Sequence, residues 1–339
     1  MKKNTKLHYH KTLKYIFQNY LKMAQKVIRI GTRDSELALW QAHTVEKKLN
    51  DLGYKTEIIA VKSTGDILLN KPLYELGITG IFTKTLDAAM INGQIDIAVH
   101  SMKDVPTALP IGIVQVAVLE RANEKDILVY KNNLDFLTGN GIIATGSLRR
   151  QAQWLHKYPT HKVVDLRGNV NLRMQKLNES DWNGAIFAAA GLERIGLTPT
   201  LSKGEGEKIG LDYINLDWMI PAPAQGAMVI VAMANDEFCK EAVSELNDLE
   251  TDICTYIERQ FLKTLEGGCT APIGAIAKFT EDTIEFKGAL FSLDGKQKFE
   301  VEKVVPIEQW KKLGFELAKE ILNNGGAELM KNIKEALKK

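Results

Sequence analysis

Through the first 200 residues, short apolar runs alternate with stretches in which apolar side chains recur every three or four positions. That alternation predicts a mostly parallel α/β sheet. Strands are expected at residues 27–31, 56–61, 95–100 and 113–119. Asp34 or Ser35 can cap a first helix, in which Leu37, Trp40, Val45, Leu49 and Leu52 keep approximately helical spacing. A second helix is expected over 81–92, with Phe82, Leu86, Ala89 and Met90 on one face. A further α/β unit starts near Asp126. Its expected strands are 127–130, 142–145, 162–166 and 185–188, and its expected helices 147–157 and 169–178. Residues 199–210 are rich in Gly, Lys and Glu and read as a surface loop. The segment Pro221-Ala222-Pro223-Ala224-Gln225-Gly226 precedes an apolar strand over 228–232 and reads as a crossing between units.

From about residue 247 the pattern changes. One long helix over 252–265 is followed by strand-like runs at 273–279, 283–291 and 297–305, then by two terminal helices. Asp294-Gly295 is a hairpin signal between the last two strands. This part reads as a small α+β domain. The expected division is an N-terminal extension at 1–26, a first domain of 27–121 plus 225–246, a second at 122–224 and a third at 247–339.

Length and composition allow two or three domains with real cores, and 45% hydrophobic with 25% charged residues is ordinary for a globular protein. The formal net charge is only +2, so bulk charge gives no support for nucleic-acid binding. The three cysteines, Cys239, Cys254 and Cys269, form no C-x-x-C pair, which argues against a disulfide scaffold or a zinc site and for a reducing, cytoplasmic setting. No run of about 18 apolar residues is present to span a membrane. The first acidic residue is Asp34; the Lys- and aromatic-rich residues 1–22 lack a long apolar core or a small-residue cleavage site, and read as a disordered extension or a non-native start before Met23.

Charge becomes informative when lysine and arginine are separated. There are nine arginines against 35 lysines, and five of the nine, Arg149, Arg150, Arg167, Arg173 and Arg194, fall within one 46-residue stretch. A guanidinium binds carboxylate or phosphate through a planar fork that lysine cannot copy. The competing reading is a solvated basic face. Position favours a site: Arg149-Arg150 follow Ile143-Ala144-Thr145-Gly146-Ser147, a strand running into a helix start, and Arg167 follows a second strand end. Open α/β sheets bind ligands at such ends. The helix start adds backbone N–H groups and hydroxyls for an anion, while neither a Walker lysine pattern nor G-x-G-x-x-G is present. Asp104 follows another apolar strand and shares a short loop with Ser101, Lys103 and Pro106. A fixed carboxylate there suits orientation of a substrate N–H or stabilisation of a developing cation; a simple turn residue is the alternative. Cys269 sits between Gly267-Gly268 and Pro272, a better place for covalent chemistry than a core. His43 and His100 read as packed or capped rather than as bases.

Taken in order, the segments IRIGTRDSELALWQA, DIAVHSMKDVP, ATGSLRRQAQ, DLRGNVNLR, PAPAQGA and LEGGCTAPIG resemble the porphobilinogen deaminase (hydroxymethylbilane synthase) family. The resemblance covers roughly residues 27–277. It implies two doubly wound α/β domains of the type II periplasmic-binding-protein kind, with the chain crossing twice between them, and a small α+β domain bearing the cysteine. It implies a dipyrromethane cofactor on Cys269 through a thioether. It also implies that four porphobilinogen molecules are added head to tail with loss of ammonia, and that hydrolysis releases the linear tetrapyrrole. By the same resemblance Ser101, Lys103, Asp104, Thr145, Ser147, Arg149, Arg150 and Arg173 hold the cofactor. Arg33, Ser35, Arg167, Arg173, Arg194 and the hinge residue Gln225 serve incoming or growing rings. Asp104 is the implied catalytic residue, binding pyrrole N–H groups and stabilising positive charge as ammonia leaves. The family precedent is a monomer with no metal, nucleic-acid or membrane partner. Up to six rings bring up to twelve carboxylates, and leaving them unpaired in a partly dry cleft would be prohibitive. Two positions depart from the family pattern: Thr79 stands where a basic residue is common, and Ala224 stands where the hinge commonly has glycine. The competing classes are a non-catalytic anion-binding module on the same two-domain fold and a nucleic-acid binder. The second lacks the interleaved aromatics that stacking on bases requires.

Overall fold

The computed structural model describes residues 26–62, 80, 82–197, 211–266 and 271–338. The N-terminal 1–25, Thr79, the loop 199–210 and Cys269 lie outside the described residues.

Two five-stranded sheets share one topology. In the first, β1 (Val27–Arg33), β2 (Lys55–Val61), β3 (Ile97–Ser101), β4 (Ile113–Val118) and β10 (Met228–Met233) take the order β2-β1-β3-β10-β4. Strand β1 pairs in parallel with β2 and β3, while β10 runs antiparallel to both β3 and β4. In the second, β5 (Asp126–Lys131), β6 (Ile142–Ala144), β7 (Lys162–Val164), β8 (Gly184–Ala188) and β9 (Leu211–Asn215) take the order β7-β6-β8-β5-β9. There β5 is the reversed strand. Each time the chain passes from one sheet to the other, the first strand it forms is the reversed one. This is the doubly wound plan with two crossings that the sequence implied.

Both faces of the first sheet are covered, which is why its central strands read as continuous apolar runs. Ile28 and Ile30 meet Ala42, Val45 and Leu49 of α1 (Glu36–Asp51) and Ala242 and Val243 of α6 (Glu237–Ser244). On the other face Ala98, Val229 and Val231 meet Leu86, Ala89 and Met90 of α2 (Lys84–Ile91). Each fully buried Val, Leu, Ile or Met side chain among these contributes about 1.5–3 kcal/mol. The second sheet carries α3 (Leu148–Lys157), α4 (Val170–Glu179) and α5 (Ala189–Arg194). The third unit is a meander of β11 (Ile273–Thr280), β12 (Thr283–Phe291) and β13 (Lys298–Pro306), packed on α7 (Leu249–Thr264), α8 (Trp310–Ile321) and α9 (Ala327–Ala336). Gly295, at φ +74°, makes the turn between β12 and β13.

Some boundaries differ from the expected ones for local reasons. The helix expected over 81–92 begins only at Lys84, because the Gly80 carbonyl first accepts the Thr83 and Lys84 N–H groups in a turn. The strand expected over 162–166 ends at Val164, whose carbonyl accepts the Thr145 N–H. The helix expected from 252 starts at Leu249, since Asp248 caps it by accepting the Thr251 N–H at 2.8 Å. Strand β9 and helices α5 and α6 were not foreseen. For α6 the cap Asp236, accepting from the Cys239 N–H at 3.0 Å, is the signal that would have found it.

Candidate active site

Strand β3 ends at Ser101 and a single 3₁₀ turn, Met102–Asp104, follows. Met102 is buried, while Ser101, Lys103 and Asp104 are half-buried. The Ser101 hydroxyl accepts from Gln41 Nε2 of α1 at 2.8 Å. Asp104 acts electrostatically on Lys103 beside it and on Arg150 and Arg173 of the second unit. One carboxylate from the first sheet therefore lies within electrostatic reach of cations from the second.

Across the cleft, β6 runs into α3 through Thr145-Gly146-Ser147. Ser147 N–H donates to Thr145 Oγ1 at 3.3 Å, and Ser147 Oγ accepts the Arg150 N–H at a long 3.5 Å as the helix cap. Gly146 is required by space: a Cβ there would lie 2.6 Å from the Leu166 carbonyl oxygen. Arg149 and Arg150 both turn toward Asp126, the fully buried first residue of β5. Arg149 Nη1 donates to Asp126 Oδ2 at 2.6 Å and to the Ile220 carbonyl at 2.8 Å. Arg150 donates through Nε to Asp126 Oδ1 at 2.9 Å and through Nη1 to the Ile186 carbonyl at 2.9 Å. Gln225 Nε2 also reaches Asp126 Oδ1, at 3.0 Å, and its Oε1 accepts from Lys103 Nζ at 3.1 Å. Burial alone would raise the Asp126 carboxyl, but Arg149 and Arg150 overcome this and hold it well below the usual range. Two of the five clustered arginines are thus already bound to an acid within the protein.

Burial acts on the neighbouring cations as well. Burial, and then the neighbouring Arg150, push the Lys103 ammonium down to about 8 despite Asp104 and Asp126. Burial and Arg150 likewise lower Arg173 to about 10. Arg173 Nε donates to the Gly168 carbonyl at 2.7 Å. Burial lowers Arg167, with Asp165 opposing. Burial brings Arg194 down to about 10; it lies over the Trp40 ring and donates to the Gly226 carbonyl at 2.7 Å. Arg33, at the end of β1, stacks on the Phe82 ring at 4.5 Å. Ser35 takes the N-cap position of α1, but its side chain makes no capping bond. The two units touch where Asn171 Nδ2 donates to Glu36 Oε2 at 2.6 Å.

The structure therefore brings Asp104, Lys103, Arg150, Arg173 and Gln225 together in one cluster of charged and polar groups. Arg33 and Ser35 lie at the end of β1, and Arg167 at the loop before α4. Arg149 and Arg150 are both turned inward to Asp126 and are 4% and 6% exposed. Asp126 and the helix α7 residues Glu258 and Arg259 were missed in the sequence. Glu258 is fully buried and accepts from Arg121 Nη1 at 2.6 Å, Arg121 Nη2 at 3.0 Å, the Ala224 N–H at 2.6 Å and the Ala277 N–H at 2.8 Å.

This arrangement can now be set beside known proteins. Residues 28–241 match the family model described as porphobilinogen deaminase, dipyromethane cofactor binding domain, and residues 253–323 match porphobilinogen deaminase, C-terminal domain. The chain belongs to the porphobilinogen deaminase family. It is 39% identical over 323 residues to the porphobilinogen deaminase of Chlorobium phaeobacteroides (strain BS1), covering 92% of this chain and 99% of that one. It is 37% identical to that of Chloroherpeton thalassium (strain ATCC 35110 / GB-78), covering 91% and 98%. It is 39% identical to the chloroplastic porphobilinogen deaminase of Oryza sativa subsp. japonica, covering 89% and 83%. No helix among the described residues is long and apolar enough to cross a membrane. The family's cofactor is a polycarboxylate, and the residues present fit it. Lys103 and Arg173 are cations whose charge is disfavoured by burial and by Arg150, a situation that bound carboxylates relieve.

Proposed function

We propose that the chain catalyses the family's reaction: four porphobilinogen molecules are joined head to tail with loss of ammonia, and the linear product is released by water. The observation that carries this reading is the placement of Asp104 opposite Arg150 and Arg173 and beside Lys103. Dipyrromethane, bound through Cys269, supplies the free pyrrole position on which the chain grows.

The chain's own residues divide the work. Lys103, Arg150 and Arg173 bind carboxylates of the rings, with Ser101, Thr145 and Ser147 sharing the load through hydroxyl and backbone N–H groups. Arg33, Ser35, Arg167 and Arg194 meet incoming or growing rings. Asp104 accepts pyrrole N–H groups and stabilises positive charge as the ammonia departs, because a fixed carboxylate in a partly dry cleft needs no reorganisation when that charge appears. Gln225 holds Lys103 to Asp126 and so links the two halves of the site. Arg149 supports the site by fixing Asp126. The cysteine usage and the family precedent support a cytoplasmic monomer.

Intact mass decides the central point. The purified protein is expected to exceed its sequence mass by two linked pyrrole units, and Cys269→Ser is expected to remove the excess. A bare polypeptide mass from a well-expressed, folded sample would refute the cofactor's attachment to Cys269.

A further inference from the structure

The 3₁₀ turn that presents Lys103 and Asp104 makes few hydrogen bonds of its own. Its backbone donates from Met102 to the Ala227 carbonyl at 3.0 Å and from Val105 to the Met102 carbonyl at 3.1 Å. Beyond it, Val105 is extended and Pro106 has no N–H to give. A turn this short closes the Met102 carbonyl through the Val105 N–H and supplies no further donors of its own to the carbonyls of Val105 and Pro106 that follow.

Arg259, on α7 of the third unit, supplies them. Its Nη1 donates to the Val105 carbonyl at 2.9 Å and the Met102 carbonyl at 3.3 Å, and its Nη2 to the Pro106 carbonyl at 2.6 Å. These carbonyls bracket Lys103 and Asp104 on both sides. Fixing them fixes the Asp104 Cα and the direction in which its carboxylate leaves the chain. A planar guanidinium can hold three carbonyls spread over five residues, whereas an ammonium is a single point and cannot span them. The neighbouring Glu258 anchors α7 at the hinge through Arg121 and the Ala224 N–H. Arg259 is therefore carried on a helix fixed at the crossing between the two sheets.

We propose that Arg259 is a positioning residue for the reaction: it clamps the Met102–Pro106 backbone from the third unit and thereby aims Asp104. This rests on the reading of Asp104 above. A displacement of about 1 Å at a reacting group can lower a rate by roughly a hundredfold.

The test is a double-mutant cycle on cofactor-loaded enzyme, with loading verified by intact mass. Arg259→Lys is expected to lower kcat by roughly ten- to a hundredfold, with KM for porphobilinogen changed by less than about threefold. Arg259→Gln is expected to lower kcat further. In an Asp104→Asn background, Arg259→Lys is expected to change the residual rate by less than about twofold, because the two residues act as one unit. The same fall in kcat on both backgrounds would overturn the proposal. Loss of the pyrrole adduct in Arg259→Lys would overturn it too, since the residue would then serve loading. So would failure of Arg259→Lys to fold, read by circular dichroism, since the residue would then be a structural tie. A wild-type protein that releases no ammonia from porphobilinogen sinks the function itself, which is a separate outcome.

Discussion

The two sheets follow one plan but deliver opposite chemistry. In each, the first parallel strand runs into a helix with a serine at its N-cap position, Ser35 after β1 and Ser147 after β6, though of the two only the Ser147 side chain makes the capping bond. In each, the reversed strand is the one formed after a crossing. Yet the first sheet brings the half-buried carboxylate of Asp104 to the cleft, whereas the second brings Arg150 and Arg173. Topology decides where a strand end lies; the few residues beyond the strand decide what it does there. The difference extends inward. The second unit stores an acid beneath its cations, Asp126, and the first shares in it through Gln225 and Lys103.

The strongest way to break this asymmetry is Asp126→Asn. The substitution keeps the shape but takes from the buried Arg149 and Arg150 the carboxylate that pairs with both. Breaking a buried pair from one side costs about 3–5 kcal/mol. Because the Asp126 carboxyl is held far below its ordinary range, its contribution is present above that range and is lost as pH falls through it into strong acid. Chemical denaturation at neutral pH is expected to show the full loss, and the variant is expected to lose that part of the wild type's acid sensitivity. A loss below about 1 kcal/mol would mean that the arginines need no internal partner and face the cleft instead.

Next in size is Asp104→Asn, which removes the charge from the first unit while keeping an oxygen for a pyrrole N–H. Turnover is expected to fall roughly 10²–10³-fold, the scale for one preorganised electrostatic partner. The pyrrole adduct, or a longer intermediate, should remain on the protein by intact mass. Near-normal turnover would move the catalytic role to another group.

These two acids also mark what the sequence could disclose. Strand ends, a serine at a helix start and the clustered arginines are local features, so Asp104, Ser147 and Arg150 could be picked out as candidates. Asp126 could not. It opens an apolar strand and looks like a polar flank, and its partners lie 23 and 24 residues away, brought to it only by folding. Glu258 and Arg259 resemble an ordinary charged pair on a helix face; one enters the hinge and the other the Asp104 turn. Strand β9 has only five residues, and exposed Asp212 and Asn215 interrupt its apolar pattern. Cys269 was legible from its glycines, but it lies outside the described residues.

Lys103 gives a sharper and smaller test, since it joins the two halves. Burial, and then Arg150, lower it from 10.5 to about 8. Its cation is present below about pH 8 and is lost above. Carboxylate binding at this residue is therefore expected to weaken several-fold as pH rises through about 8, because the ligand then meets a neutral amine. Folding stability moves the other way: a lowered lysine is a burden while charged, so its contribution to stability rises between about pH 8 and 10.5. The rate at which apoprotein acquires the pyrrole adduct, measured across this range, should carry the pH dependence in wild type and lose it in Lys103→Met. An unchanged profile in that variant would assign the titration to another group.

The smallest effect is expected at the hinge that both halves share. Ala224 sits at φ +63°, in the left-handed region that favours glycine. For a residue with a Cβ this costs about 1–2 kcal/mol. Two effects oppose the gain from Ala224→Gly. The methyl is fully buried among Val105, Ala227 and Val229, and its removal forfeits about 0.8 kcal/mol. Glycine also loses about 0.5–1 kcal/mol more chain entropy on folding. The terms nearly cancel, and Ala224→Gly is expected to leave stability within about 1 kcal/mol of wild type, or a few degrees in Tm. The Glu258 carboxylate still accepts the residue-224 N–H whichever side chain is present, so the hinge should keep its geometry. A stabilisation well beyond that range would show that strain at Ala224 is stored in the crossing between the two sheets; a large loss would show that the methyl, rather than Glu258, holds it.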